Sequence, residues 1–120
     1  MQPRYSRRVM VECSAMFAGE SVVAEGRVLD LSLPGCLLES REKMSAGEYV
    51  KLRLFLPDDQ APLQVPLAAV RWVQGVRIGL EFIRTSEREQ RRLDRFVRRR
   101  LELIGESSCR QNAVIRAMRS

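Results

Sequence analysis

Two groups of residues carry side chains suited to recognising anions and base edges. The first is Arg4, Arg7 and Arg8 in "RYSRR", with Arg4 and Arg8 separated by three residues. A guanidinium is planar and always charged. Its fork of N–H donors matches a phosphate, or the O6/N7 edge of guanine, with two parallel hydrogen bonds. The second is the stretch 28–38, "VLDLSLPGCLL", where apolar residues surround Asp30, Ser32, Pro34 and Gly35. Its chemistry-bearing positions read Asp30-x-Ser32-x-x-Gly35: a carboxylate that accepts, a hydroxyl that donates or accepts, and a glycine that permits positive φ and a close backbone approach. Plainer readings stand beside these. Arginines in such a segment can be a solvated arm, and Asp, Ser, Pro and Gly are ordinary turn residues whose side chains bond their own backbone.

A 120-residue chain that is 45% hydrophobic and 30% charged has the composition of one globular domain rather than of a disordered segment. No apolar run approaches the roughly 20 residues of a membrane span. Glu12 and Ser14 interrupt the N-terminal apolar stretch, so no secretory signal is expected. Cys13, Cys36 and Cys109 are odd in number and unclustered, which fits small core or surface residues in a reducing cytoplasm and neither a disulfide framework nor a metal site. Histidine is absent, and with it the commonest general base at neutral pH. There is no Gly-rich phosphate loop ending in Lys-Ser/Thr, and the acids are scattered, Asp58 and Asp59 reading as a solvated turn. An enzyme is therefore not expected, and neither a cofactor nor a metal. Nineteen of the 21 basic residues are arginine, the exceptions being Lys43 and Lys51. A GC-rich genome would give the same bias, so each arginine has to be argued by position.

The elements that must position these groups follow from periodicity. Alternation and the turn residues between segments predict strands over 9–17, 22–29, 35–40, 49–56, 63–73 and 77–83. Val9, Val11, Cys13, Ala15 and Phe17 share one face; Val50, Leu52, Leu54 and Leu56 share another, as do Ile78, Leu80 and Phe82. Gly26 marks a bulge or a close approach, and Pro66 an edge or a bulge. At Ser86 the period changes. Ser86 and Glu89 form a capping box, Leu93, Phe96, Val97, Leu101 and Ile104 recur at helical spacing, and Gly105 stands where a C-terminal cap belongs. The opposite helix face carries Arg88, Arg91, Arg92, Arg95, Arg98 and Arg99, read as a solvated face or a surface for an acidic partner. Six short strands and one helix predict a mainly β fold, a six-stranded antiparallel β-barrel with a C-terminal helix over one opening. The expected organisation is a flexible arm over 1–8, the barrel and helix over 9–105, and a tail over 106–120 that is frayed or a short helix.

The two polar groups, in this order and flanking two predicted strands, resemble the PilZ domain, a bacterial receptor module for cyclic di-GMP. Its marks are R-x-x-x-R before the first strand and [DN]-x-S-x-x-G after the second. "VRWV" and "RIGLEF" are similar to the family's last two strands, with Trp72, Gly79 and Phe82 at matching positions. The resemblance spans residues 3–104. It implies that Arg4, Arg8, Asp30, Ser32 and Gly35 bind cyclic di-GMP, with Arg4 and Arg8 as a clamp. Asp30 would then accept hydrogen bonds from N1–H and the N2 amino group of guanine. Ser32 would donate to a phosphate or hold the turn. Arg7 and Trp72 are additional candidates, although Trp72 reads more readily as a core residue. The implied function is non-catalytic: nucleotide binding changes a surface read by a protein partner in motility, pilus, biofilm or exopolysaccharide control. The competing reading is a nucleotide-independent adaptor of pilus or motility machinery, working through the helix face and the tail residues Val114, Ile115 and Met118. DNA or RNA binding is not expected, since seven aromatics give no interleaved stacking platforms.

Overall fold

A computed structural model of the chain describes residues 7–58 and 60–119, with side chains through Leu103. Six strands are followed by one helix: β1 Val9–Ala18, β2 Val23–Leu31, β3 Gly35–Glu39, β4 Tyr49–Leu54, β5 Leu63–Gln74, β6 Arg77–Arg84 and α1 Glu87–Arg119. The strands close into an antiparallel barrel in the order β1-β2-β3-β6-β5-β4. The mainly β, six-stranded barrel expected from the sequence is thus the observed architecture.

Closure follows from alternation. Along β1 the odd positions Val9, Val11, Cys13, Ala15 and Phe17 are buried and the even positions from Met10 to Met16 are exposed. Val50, Leu52 and Leu54 of β4, Leu63 and Val65 of β5, and Ile78 and Leu80 of β6 fill the same interior. In the closed barrel each strand has a neighbour on both sides, although β1 meets β4 only over Ala15–Ala18. Between Val50↔Ala68 and Leu52↔Val65, β5 carries an extra residue in the segment with Pro66 and Leu67. Pro66, which has no N–H to donate, sits in that bulge. Gly26 marks a close approach: a Cβ there would lie 2.9 Å from both the Glu39 carbonyl oxygen and Leu38 Cδ1.

Helix α1 plugs one side of the barrel with Leu93 and Val97, while Phe96 and Leu101 pack at the margin. Its start is half a capping box. The Glu89 N–H donates to Ser86 Oγ at 3.2 Å, but the Glu89 carboxylate turns outward and accepts from the Gln64 N–H at 2.7 Å, fastening the first turn to β5. Arg92, assigned above to the polar face, is instead buried and donates through Nε and Nη2 to both oxygens of Asp58. Asp58 is therefore half of a structural ion pair rather than part of a solvated turn.

The end of the helix also differs from expectation. Gly105 does not terminate α1, which continues to Arg119. A single interior glycine costs about 1 kcal/mol relative to alanine, and no proline follows to stop the helix. The side chains of Ile104, Cys109, Val114, Ile115 and Met118 lie outside those described.

Candidate functional site

The stretch that raised the question of chemistry straddles the end of β2. Asp30 is its penultimate residue, paired with Met10 of β1 on one side and Leu37 of β3 on the other. Both pairings sit beside irregularities: β1 has an extra residue between Met10 and Cys13, and β2 has one between Val28 and Asp30. Bulges bend a strand and re-aim its side chains at a barrel rim. Here they present the Asp30 carboxylate to Arg8, whose Nη1 donates to Oδ1 at 2.9 Å.

Beyond Asp30 the chain turns over Ser32–Pro34. The Ser32 N–H and hydroxyl both donate to the Gly35 carbonyl oxygen, at 2.9 and 3.1 Å, and Ser32 is buried. The Pro34 carbonyl accepts from the Phe82 N–H at 2.8 Å, which ties the turn to β6. Ser32 thus holds the turn in shape. Gly35 is required for a different reason than positive φ, which among the described glycines occurs at Gly47 and Gly75. A Cβ on Gly35 would stand 2.1 Å from the Leu80 carbonyl oxygen, so only glycine lets β3 lie this close to β6.

Trp72 corrects an expectation. It is not a core residue: 41% of its surface is exposed. Strict alternation through Ala68 and Val70 would have turned it inward, but β5 carries an extra residue at Arg71, between Val70↔Leu80 and Trp72↔Gly79. The indole instead lies across its register partner Gly79, where a Cβ would meet Nε1 at 2.2 Å. A glycine opposite a tryptophan gives the ring a flat seat on the backbone.

These residues meet in one shallow bay of about 220 Å³, lined by Arg8, Ser32, Gly35, Arg71, Trp72 and Glu81, with Pro34, Cys36, Gly79 and Leu80 beneath. Its volume is below that of pockets that enclose a whole ligand, so it offers a seat for part of one. The Cys36 thiol is pushed far up from its ordinary pKa, by burial first and by the nearby Asp30 charge second. That proton stays on, and the cysteine is a packing residue. Of the residues singled out from sequence, Arg8, Ser32, Gly35 and Trp72 line the bay, and Asp30 joins it through Arg8. Arg7 is exposed and not among the lining residues. Arg4 lies outside the described residues. Sequence reasoning missed Arg71 and Glu81, which are joined across β5 and β6. The signal available was the pair "RW" ahead of a glycine-bearing strand, and no periodicity argument reaches it. A larger cavity of about 700 Å³ lies alongside, between the same turn (Leu33, Pro34), Phe82 and Ile83 of β6, and Leu93 of α1.

The family model of the PilZ domain matches residues 2–99. The chain belongs to the PilZ domain family. Solved structures agree on the fold. The PilZ domain of CeSA from a cellulose-synthesizing bacterium aligns with a TM-score of 0.62 at 21% identity, covering 77% of this chain and 95% of that one. The Bacillus subtilis inhibitor of motility, MotI/DgrA, aligns with a TM-score of 0.71 at 20% identity, covering 85% of this chain. This PilZ chain spans 53% of the length of MotI/DgrA. No curated protein is significantly similar to the chain. PilZ domains are generally non-catalytic receptors for cyclic di-GMP. Among the described residues no helix is long and apolar enough to cross a membrane.

Proposed function

We propose that this PilZ domain binds cyclic di-GMP, without catalysing any reaction on it, in the bay between the Arg8–Asp30 pair and Trp72. The observation that carries the reading is the ion pair itself. Residues 22 positions apart converge at 2.9 Å on the rim of the bay, with the arginine more than half exposed. An exposed fork held by one carboxylate can be taken over by a ligand that offers phosphates and guanine edges. In this reading Arg8 and Arg4 close on the ligand from the N-terminal segment, and Asp30 accepts from N1–H and the N2 amino group of one guanine. Ser32 and Gly35 keep the turn against β6, and the exposed indole of Trp72 stacks on a base. Arg7 has a lesser role, steering the anion by charge. Pro34 borders both the bay and the larger cavity beside α1, so an occupied bay changes a surface that a cytoplasmic protein partner in motility, pilus, biofilm or exopolysaccharide control reads.

Titration calorimetry tests this with cyclic di-GMP, GTP and cyclic di-AMP against the wild type and Arg8→Ala. Saturable heat with cyclic di-GMP alone, weakened strongly in Arg8→Ala, is the expected outcome. A wild type that gives no heat with cyclic di-GMP removes the reading. One observation favours the adaptor alternative: α1 runs to Arg119, well past the residues that plug the barrel. Partner capture that is indifferent to cyclic di-GMP but lost on deleting residues 106–120 would decide for it.

A further inference from the structure

The bay has a second arginine–carboxylate pair that neither polar motif includes. Arg71 of β5 and Glu81 of β6 face each other across the strand pair, and both line the bay. Arg71 is there because of the bulge: the extra residue between Val70 and Trp72 breaks the alternation, so Arg71 and Trp72 are exposed in succession. Both partners are about half exposed, 53% and 47% at the side chain. A pair so exposed adds little to stability, yet it stands beside an indole whose outer face is open. The bond to Glu81 uses Nε of Arg71 and neither Nη group. It anchors the guanidinium at one nitrogen and leaves the Nη edge available to a second acceptor.

The chemistry of the pair selects what it can bind. On the receptor reading the group seated on Trp72 is a base, so the neighbouring Arg71 meets a base edge rather than a phosphate. Its Nη groups, unused by Glu81, make a double donor for a neutral acceptor edge. Guanine offers one, O6 with N7, whereas adenine places an amino donor where O6 would be. Building on the receptor reading, we infer that Arg71, anchored by Glu81, reads the O6/N7 edge of the guanine stacked on Trp72 and sets guanine against adenine at that position.

The test uses calorimetry on the full chain with cyclic di-GMP over a series of salt concentrations, comparing the wild type, Arg71→Lys and the double variant Arg71→Gln/Glu81→Gln. The double variant keeps the net charge of the bay. Both variants should bind about ten- to a hundred-fold more weakly, the range expected for losing a bidentate base contact. The double variant should keep the wild-type slope of log affinity against log salt, since no phosphate contact is lost. Lysine should fail because it brings charge without a fork. Affinity within about twofold of wild type in either variant, or a shallower salt slope in the double variant, overturns the inference. A wild type that does not bind overturns the receptor reading itself; a binding wild type with unaffected variants overturns only the role of Arg71. Melting temperatures should agree to within a few degrees, as expected for an exposed pair.

Discussion

Arg92–Asp58 and Arg8–Asp30 are the same chemical pair placed in two environments. The Arg92 side chain is 9% exposed and makes two bonds, of 3.2 and 2.9 Å, to both oxygens of Asp58. The Arg8 side chain is 54% exposed and makes one, of 2.9 Å, to Asp30. In the first pair the arginine depends on the carboxylate, because Arg92 is buried beneath its own helix while Asp58 keeps 21% of its side chain exposed. In the second, the carboxylate is fixed by two strand bulges while the arginine is mostly in water. On the proposed receptor reading, a ligand with better acceptors exchanges into that pair at small expense to the fold. What separates the two pairs is the burial of the arginine and the second bond that comes with it; the chemical groups and the shorter distance, 2.9 Å, are alike.

The largest effect that would break this comparison is on stability. Arg92→Ala removes both bonds to Asp58, which then keeps, among the described residues, only the Gln60 N–H, and should lower the unfolding free energy by about 3 kcal/mol. Arg8→Ala should change it by less than about 1 kcal/mol while removing most of the nucleotide affinity. Urea unfolding of the two variants, run side by side with the binding titration, checks both halves. Equal stability losses would show that burial is not the distinguishing factor.

The next contrast is between two glycines of the same bay. A Cβ at Gly35 would press on the backbone of β6, 2.1 Å from the Leu80 oxygen, and backbone in a closed barrel has nowhere to go. A Cβ at Gly79 would press on the Trp72 ring, a half-exposed side chain that can swing away. Gly35→Ala should therefore destabilise by about 2–3 kcal/mol, the range of an overpacked core. Gly79→Ala should stay within about 1 kcal/mol of wild type. It should, however, shift the tryptophan fluorescence, which reports Trp72 alone because the chain has one tryptophan. An unchanged emission spectrum in Gly79→Ala would mean that the glycine does not seat the indole.

Much of this was legible before the structure, and the limits are physical. Alternation marks β1, β4 and β6, because a barrel wall has one wet and one dry face and a period of two records it; β2, β3 and β5 show as apolar segments bounded by turn residues. The motif residues Arg8, Ser32 and Gly35 were found through a family resemblance; composition alone could not have separated them from turn chemistry. Three features were not readable. A period of two turns Trp72 inward because it cannot anticipate the extra residue at Arg71. Helical spacing tells which residues share a face and so puts Arg92 on the wet one, whereas a buried arginine depends on a partner 34 positions away in the chain. Gly105 reads as a stop because a cap glycine and a tolerated interior glycine are the same letter.

The smallest effect concerns the two buried thiols of the barrel interior. Burial pushes the Cys13 thiol up to about 11 against the partly opposing charge of Arg100, and pushes Cys36 further still, helped by Asp30. In the unfolded chain cysteine ionises near about 8.5. Between that value and about 11 the folded state holds more protons than the unfolded one, so stability falls as pH rises. The contribution is complete below pH of about 8.5 and is lost progressively above it. The urea midpoint should decline between about pH 8.5 and 10 in the wild type. It should decline less steeply in Cys13→Ala/Cys36→Ala, whatever that variant's stability at neutral pH. Parallel slopes in the two proteins would place the alkaline loss elsewhere, and would mean that the buried thiols ionise in the folded barrel about as readily as in water.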